Sequence, residues 1–234
     1  MDIVTFTLAV PLVGLQALLF FLLLRDLQRP YLILILYSGV QLATSALELA
    51  IYFNGSNLNS TLYSRIYWSD EILLDLLLFL LVIVLTFQAT EGSPIRPAVG
   101  KLLAVVVCLA LVLPFVILHP PLFKVRWFNG TSQMLNFGGA IMNLALWTAL
   151  IGSKRRDSRL LTVSAGLGVM VTGAAITWGV RQWVTPGAIA QVVVNKFGLI
   201  MQIAATAIWC WAFRRAERRA PASPVAAATN NIQL

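Results

Sequence analysis

Seven stretches of about 20 mainly apolar residues, near 3–24, 31–53, 69–90, 101–119, 132–152, 159–182 and 188–213, succeed one another along the chain. Each is long enough to cross a hydrocarbon core roughly 30 Å thick as an α-helix. A spanning segment has no water to satisfy its backbone, so a helix is the form such a run takes. Only 11% of the 234 residues are charged, where soluble domains have roughly a quarter. The expectation is an all-α, seven-helix transmembrane bundle over residues 1–213, followed by a basic, disordered tail over 214–234. The first run has Asp2 and no cation ahead of it, and no small-residue cleavage site after Leu24. It therefore reads as a spanning helix rather than a signal peptide.

Charge sets the orientation, because short cytoplasmic loops are enriched in Lys and Arg. One set of connections carries Arg25, Arg29, Arg96, Lys101, Lys154, Arg155, Arg156, Arg159 and the tail cations Arg214, Arg215, Arg218 and Arg219. The other set carries Arg65, Lys124, Arg126 and Arg181. Twelve against four puts the N-terminus outside and the C-terminus in the cytoplasm of a multi-pass cell-membrane protein. The net charge of +8 belongs to this anchoring pattern, with no aromatic interleaving that would suggest nucleic acid. Asn54, Asn59 and Asn129 head Asn-x-Ser/Thr triplets, and Trp68, Trp127 and Trp183 fall near outer helix ends, where interfacial aromatics gather.

Polar side chains recur at helical spacing on four of the seven runs. Tyr37, Gln41, Thr44, Ser45, Glu48 and Tyr52 share a face of the second, and Glu71 and Asp75 are an i, i+4 pair on the third. Asn136, Gly139, Ala140, Asn143 and Trp147 line the fifth, while Gln191, Asn195, Gly198, Gln202, Thr206 and Trp209 line the seventh. The first and fourth runs have little polarity to hide and are expected at the periphery, facing lipid. The sixth is rich in small residues (Ser164, Gly166, Gly168, Gly173, Ala174), which permits close backbone approach.

Ionisable groups within spans face the bundle interior and find partners. At 1.5 Å per residue, Asp75 lies roughly 10 Å in from Trp68, and Lys196 lies at a similar depth on the seventh helix. The expectation is an Asp75–Lys196 pair at the floor of an outward-facing polar vestibule. Glu48, Glu71, Asp75, Asn136, Gln191, Asn195 and Lys196 are its candidate ligand-binding residues.

Catalysis is not expected: His119 is the only histidine, and no nucleophile elbow, phosphate loop or metal-ligand spacing occurs. Cys108 and Cys210 both fall inside apolar runs. A helix-7 lysine with helix-3 acids matches the outline of retinal proteins. One turn before Lys196, however, stands Val192 rather than an aspartate, so no retinal or other cofactor is expected.

"RPYLILILY" after the first helix, "YSRIYWSDEIL" opening the third and the basic connector "SKRRDSR" resemble the seven-helix membrane input region of bacterial sensor kinases and related bacterial seven-helix proteins. The resemblance implies a module that binds a small ligand or a partner protein. The expected function is thus a receptor-like membrane sensor, with the bilayer, a small molecule and a protein at the cytoplasmic loops as partners. A secondary transporter or proton-coupled carrier, and an accessory subunit of a membrane complex, are the alternatives.

Overall fold

The computed structural model describes residues 3–27, 31–54, 60–91, 96–117, 125–152, 158–181, 183–184 and 189–217. They form seven helices and no strand: α1 (Ile3–Arg25), α2 (Leu32–Asn54), α3 (Ser60–Ala89), α4 (Arg96–Ile117), α5 (Val125–Gly152), α6 (Ser158–Arg181) and α7 (Ile189–Glu217). Six of them, all but α4, contain segments long and apolar enough to cross a membrane. The helices outrun the apolar runs: α3 starts at Ser60 and α5 at Val125, and α7 continues to Glu217. The cause is that helical hydrogen bonding does not stop where hydrocarbon stops. Arg65 and Arg126 are therefore helical residues rather than loop charges, and Arg181 is the last residue of α6.

Contacts between α1 and α2, α2 and α3, α3 and α5, α5 and α6, α6 and α7, and α7 and α1 close a ring of six helices. α3 also touches α6 across the ring, and α4 stands outside it against α5 and α3. The peripheral expectation holds for α4, on which Leu102, Val105, Leu109, Val112, Phe115 and Val116 are all exposed. It fails for α1. That helix is wedged between α2 and α7, with Leu12, Gln16, Leu19 and Leu23 buried. An apolar helix can fill a core as readily as it can face lipid, and its composition does not distinguish the two environments.

Helix association in lipid rests on close packing, because lipid tails are as apolar as leucine. A Cβ at Gly166 would stand 2.5 Å from the Trp209 indole nitrogen, and one at Gly173 would stand 2.6 Å from Met201 Cβ. The small residues of α6 thus let α7 approach, as their composition suggested. Trp209 Nε1 donates to the Val163 carbonyl oxygen at 3.0 Å in the space that Gly166 leaves.

The apolar core occupies the half of the bundle where α1 ends and α2 begins. Leu19 and Leu23, Leu34, Leu81 and Leu85, Leu167 and Phe213 are buried there. This end is closed by charge as well. Arg159 makes an ion pair with Asp26, and its guanidinium lies 4.8 Å from the Tyr31 ring and 4.4 Å from the Phe213 ring. One arginine at the start of α6 thereby ties together α1, α7 and the residue preceding α2.

Candidate functional site

The opposite half is open. A cavity of about 690 Å³ lies among α1, α2, α3, α6 and α7. Three small or apolar residues of α1, Ala9, Leu12 and Val13, form one wall. The polar stripe of α2 forms the next, with Tyr37, Gln41, Thr44, Ser45 and Glu48 all facing the space. The side chain of Tyr52, which extends that stripe, lies outside the described residues, as do His119 and the side chains of Asn54, Asn59 and Asn129.

α3 contributes the acids. Asp70, Glu71 and Asp75 line the cavity with Leu74 and Leu78. Asp75 is 5% exposed and lies deepest, about 6 Å along the helix from Glu71. Asp70 and Glu71 are half-buried, and Glu48 across the cavity is exposed. The four carboxyl groups therefore descend from mouth to floor.

Asp75 is not paired with Lys196. Its Oδ2 accepts the Ser132 hydroxyl and its Oδ1 accepts Asn136 Nδ2 at 2.8 Å, both from α5. Ser132 and Asn136 are themselves an i, i+4 pair, and Asn136 Nδ2 also donates to the Ser132 carbonyl oxygen at 2.9 Å. The reason lies in angle rather than depth. Lys196 is about 100° around α7 from Asn195, off the face that borders the cavity. α5, in contrast, lies directly against α3. Asp70 is fixed on the other side of α3, where Thr44 Oγ1 donates to Asp70 Oδ1 at 2.9 Å. Two of the acids thus fasten α3 to its ring neighbours α5 and α2.

Among the described lining residues the cation is Arg181, at the end of α6. Its guanidinium lies 4.5 Å from the Trp178 ring, and its Nε donates to Asn195 Oδ1 on α7 at 2.9 Å. The sequence presented Arg181 as one of four outer-loop charges and so concealed it. The available signal was its position three residues beyond Trp178, on the same helical face. Thr177 and Trp178 from α6, with Gly198, Leu199 and Gln202 from α7, complete this side of the wall.

Of the seven expected site residues, Glu48, Glu71, Asp75 and Asn195 border the cavity. Asn136 lies behind the wall as a partner of Asp75, and Gln191 and Lys196 lie outside the lining. The polar face of α5 packs against α3 and α6 instead of lining the cavity; the Asn143 amide nitrogen, for example, occupies the space beside Gly168. Two of the three outer-end tryptophans also turn inward. Trp68 stacks on Phe128 with ring centroids 6.0 Å apart and meets Trp178 at the same distance, and Trp127 is 8% exposed between Phe115 and Phe128. Trp183 is 90% exposed.

Comparison with known protein families, curated proteins and solved structures gives no match. What the site does is therefore argued from its chemistry. Among the described residues, no group of three or more His, Cys, Asp or Glu side chains is placed to hold a metal ion. The arrangement offers a recess lined by acceptors, one fixed guanidinium, and a floor whose carboxylate is already hydrogen-bonded by the protein. Such a recess can hold a small molecule by polar contacts.

Proposed function

We propose that the chain is a receptor-like module of the cell membrane that takes up a small ligand in the α1–α2–α3–α6–α7 cavity. In this reading all seven helices span the bilayer, the N-terminus is outside, and the C-terminal end meets a cytoplasmic partner protein. The twelve-to-four Lys/Arg bias supports that orientation and puts the cavity in the outer half. The observation that carries the reading is the cavity itself. Its volume falls within the 300–1,000 Å³ range typical of ligand sites, and its polar groups converge from four helices.

Signal transfer follows from the continuity of α6. Arg181 at one end borders the cavity and Arg159 at the other holds the Asp26, Tyr31 and Phe213 contacts. They are about 33 Å apart along one helix. A ligand that draws Arg181 inward moves a rigid rod whose far end holds the inner contacts. The response is a shift between two arrangements, biased by the ligand's preference for one of them.

Native mass spectrometry of the protein, purified in mild detergent from its own host, tests the reading. The expected result is a small adduct that Glu71→Gln removes. The same sample in proteoliposomes should bind without net flux; flux that depends on Glu71 would make the chain a carrier. A bare chain bound stoichiometrically to another polypeptide would overturn the receptor reading in favour of an accessory subunit.

A further inference from the structure

The charged groups of the cavity are not equivalent. Asp75 is occupied by Ser132 and Asn136, and Asp70 by Thr44. Glu71 accepts no hydrogen bond from any described residue, although it is half-buried and borders the same cavity as Arg181. Arg181 uses Nε on Asn195, and its two Nη groups have no hydrogen-bond partner among the described residues. Glu71 and Arg181 thus face one cavity from α3 and α6, an acid and a guanidinium with no ion pair between them. Two further groups have unused hydrogen-bonding capacity. Tyr37 and Gln41 are 0% and 4% exposed, both border the cavity, and neither Tyr37 Oη nor Gln41 Nε2 has a hydrogen-bond partner among the described residues.

An acid and a guanidinium held apart in a recess leave each other unpaired, and a molecule that places an ammonium on the one and a carboxylate on the other pairs both. Arg181 is kept from Glu71 by its own supports, the Trp178 ring and the Asn195 amide. We propose that the cavity binds a small zwitterion, its ammonium on Glu71 and its carboxylate on the Nη groups of Arg181, with its apolar body against Leu74, Met170 and Leu199. This rests on the receptor reading above and names the ligand class of that site.

For Glu71 and Arg181 taken as a pair, charge matching selects this class over its relatives. A simple cation satisfies Glu71 and leaves the guanidinium without an anion. A dianion satisfies Arg181 and meets like charge at Glu71, Asp70 and Glu48. A zwitterion compensates both and brings no net charge into the membrane. The exposed carboxylate of Glu48 at the mouth attracts the ammonium end on approach.

The test uses the full chain in nanodiscs of phosphatidylglycerol, whose headgroups carry no ammonium, read by tryptophan fluorescence and thermal shift. The probes are γ-aminobutyrate and ε-aminocaproate, against the diamines putrescine and hexamethylenediamine and the diacids succinate and adipate, which match them in chain length. Expected is saturable binding of an amino acid and none of its diamine or diacid counterpart. Glu71→Gln and Arg181→Met should each weaken it about tenfold or more, with Arg181→Lys in between. If either variant fails to fold, the wild-type ranking of the three classes still decides. Diamines that bind as well as amino acids, with Glu71→Gln alone destroying binding, would overturn the zwitterion and leave the receptor reading standing. Silence of all six probes also overturns the zwitterion; the receptor reading falls with it only if the natively purified chain carries no adduct.

Discussion

The two ends of the bundle treat charge in opposite ways. Where α6 begins, Arg159 is closed onto Asp26 and covered by the Tyr31 and Phe213 rings, so this guanidinium has an anion and two aromatic faces. Where α6 ends, Arg181 shares a cavity with four carboxylates and forms an ion pair with none of them. Both arginines rest on aromatic rings, so the difference is not one of side-chain type. It lies in whether a neighbouring helix brings an acid within reach. A closed pair fixes helices relative to one another, whereas an open pair retains free energy that a ligand can supply. One end therefore has the properties of a fastening and the other those of a site.

That contrast can be broken from several sides. The largest effect is expected where backbone proximity holds both ends in register. Gly166→Val would push a side chain into the Trp209 indole, and a loss of about 3 kcal/mol, read as a lowered melting temperature in detergent, is expected. An unchanged melting temperature would mean that α6 and α7 can separate at no cost.

At the floor of the cavity, Asp75→Ala would leave the Ser132 hydroxyl and the Asn136 amide without their buried acceptor. A loss of roughly 2 kcal/mol is expected, with Asp75→Asn costing less because its carbonyl oxygen still accepts one bond. Equal losses for the two variants would show that shape rather than hydrogen bonding matters there.

At the closed end, Arg159→Met is expected to cost about 1 kcal/mol, since the pair is only partly buried and the ring contacts contribute modestly. Because α6 joins the two ends in the proposed receptor, the same change should also shift ligand affinity in the cavity, and an unchanged affinity would break that coupling. Smallest of all, Glu71→Gln is expected to change stability by less than about 0.5 kcal/mol, because no protein hydrogen bond is lost. A large destabilisation by Glu71→Gln would reassign this residue from the open set to the fastened set.

Much of the fold was legible because membrane hydrocarbon imposes a length and a polarity that a sequence displays openly. All seven runs became helices, and the polar stripe of α2 lies along the cavity. Legibility failed where the environment has to be chosen between two apolar alternatives. α1 reads the same whether it meets lipid or protein, and only the α7–α1 contact that closes the ring reveals that one of its faces is buried. It failed again for Arg181, which the charge count assigns to an outer connection and the helix retains.

The pairing of charges shows the division most clearly. The sequence by itself determined which helices carry acids and cations and at what depth, because rise per residue is fixed. It determined that Asp75 would seek a polar partner, because burial of an unsatisfied carboxylate is too costly to persist. Which partner it finds depends on the rotation of each helix about its axis and on which helices become neighbours. Those are decided by glycine-sized gaps and side-chain packing between segments far apart in the chain. Only the tertiary structure turned Ser132 and Asn136 toward Asp75 and left Glu71 and Arg181 facing each other across a cavity.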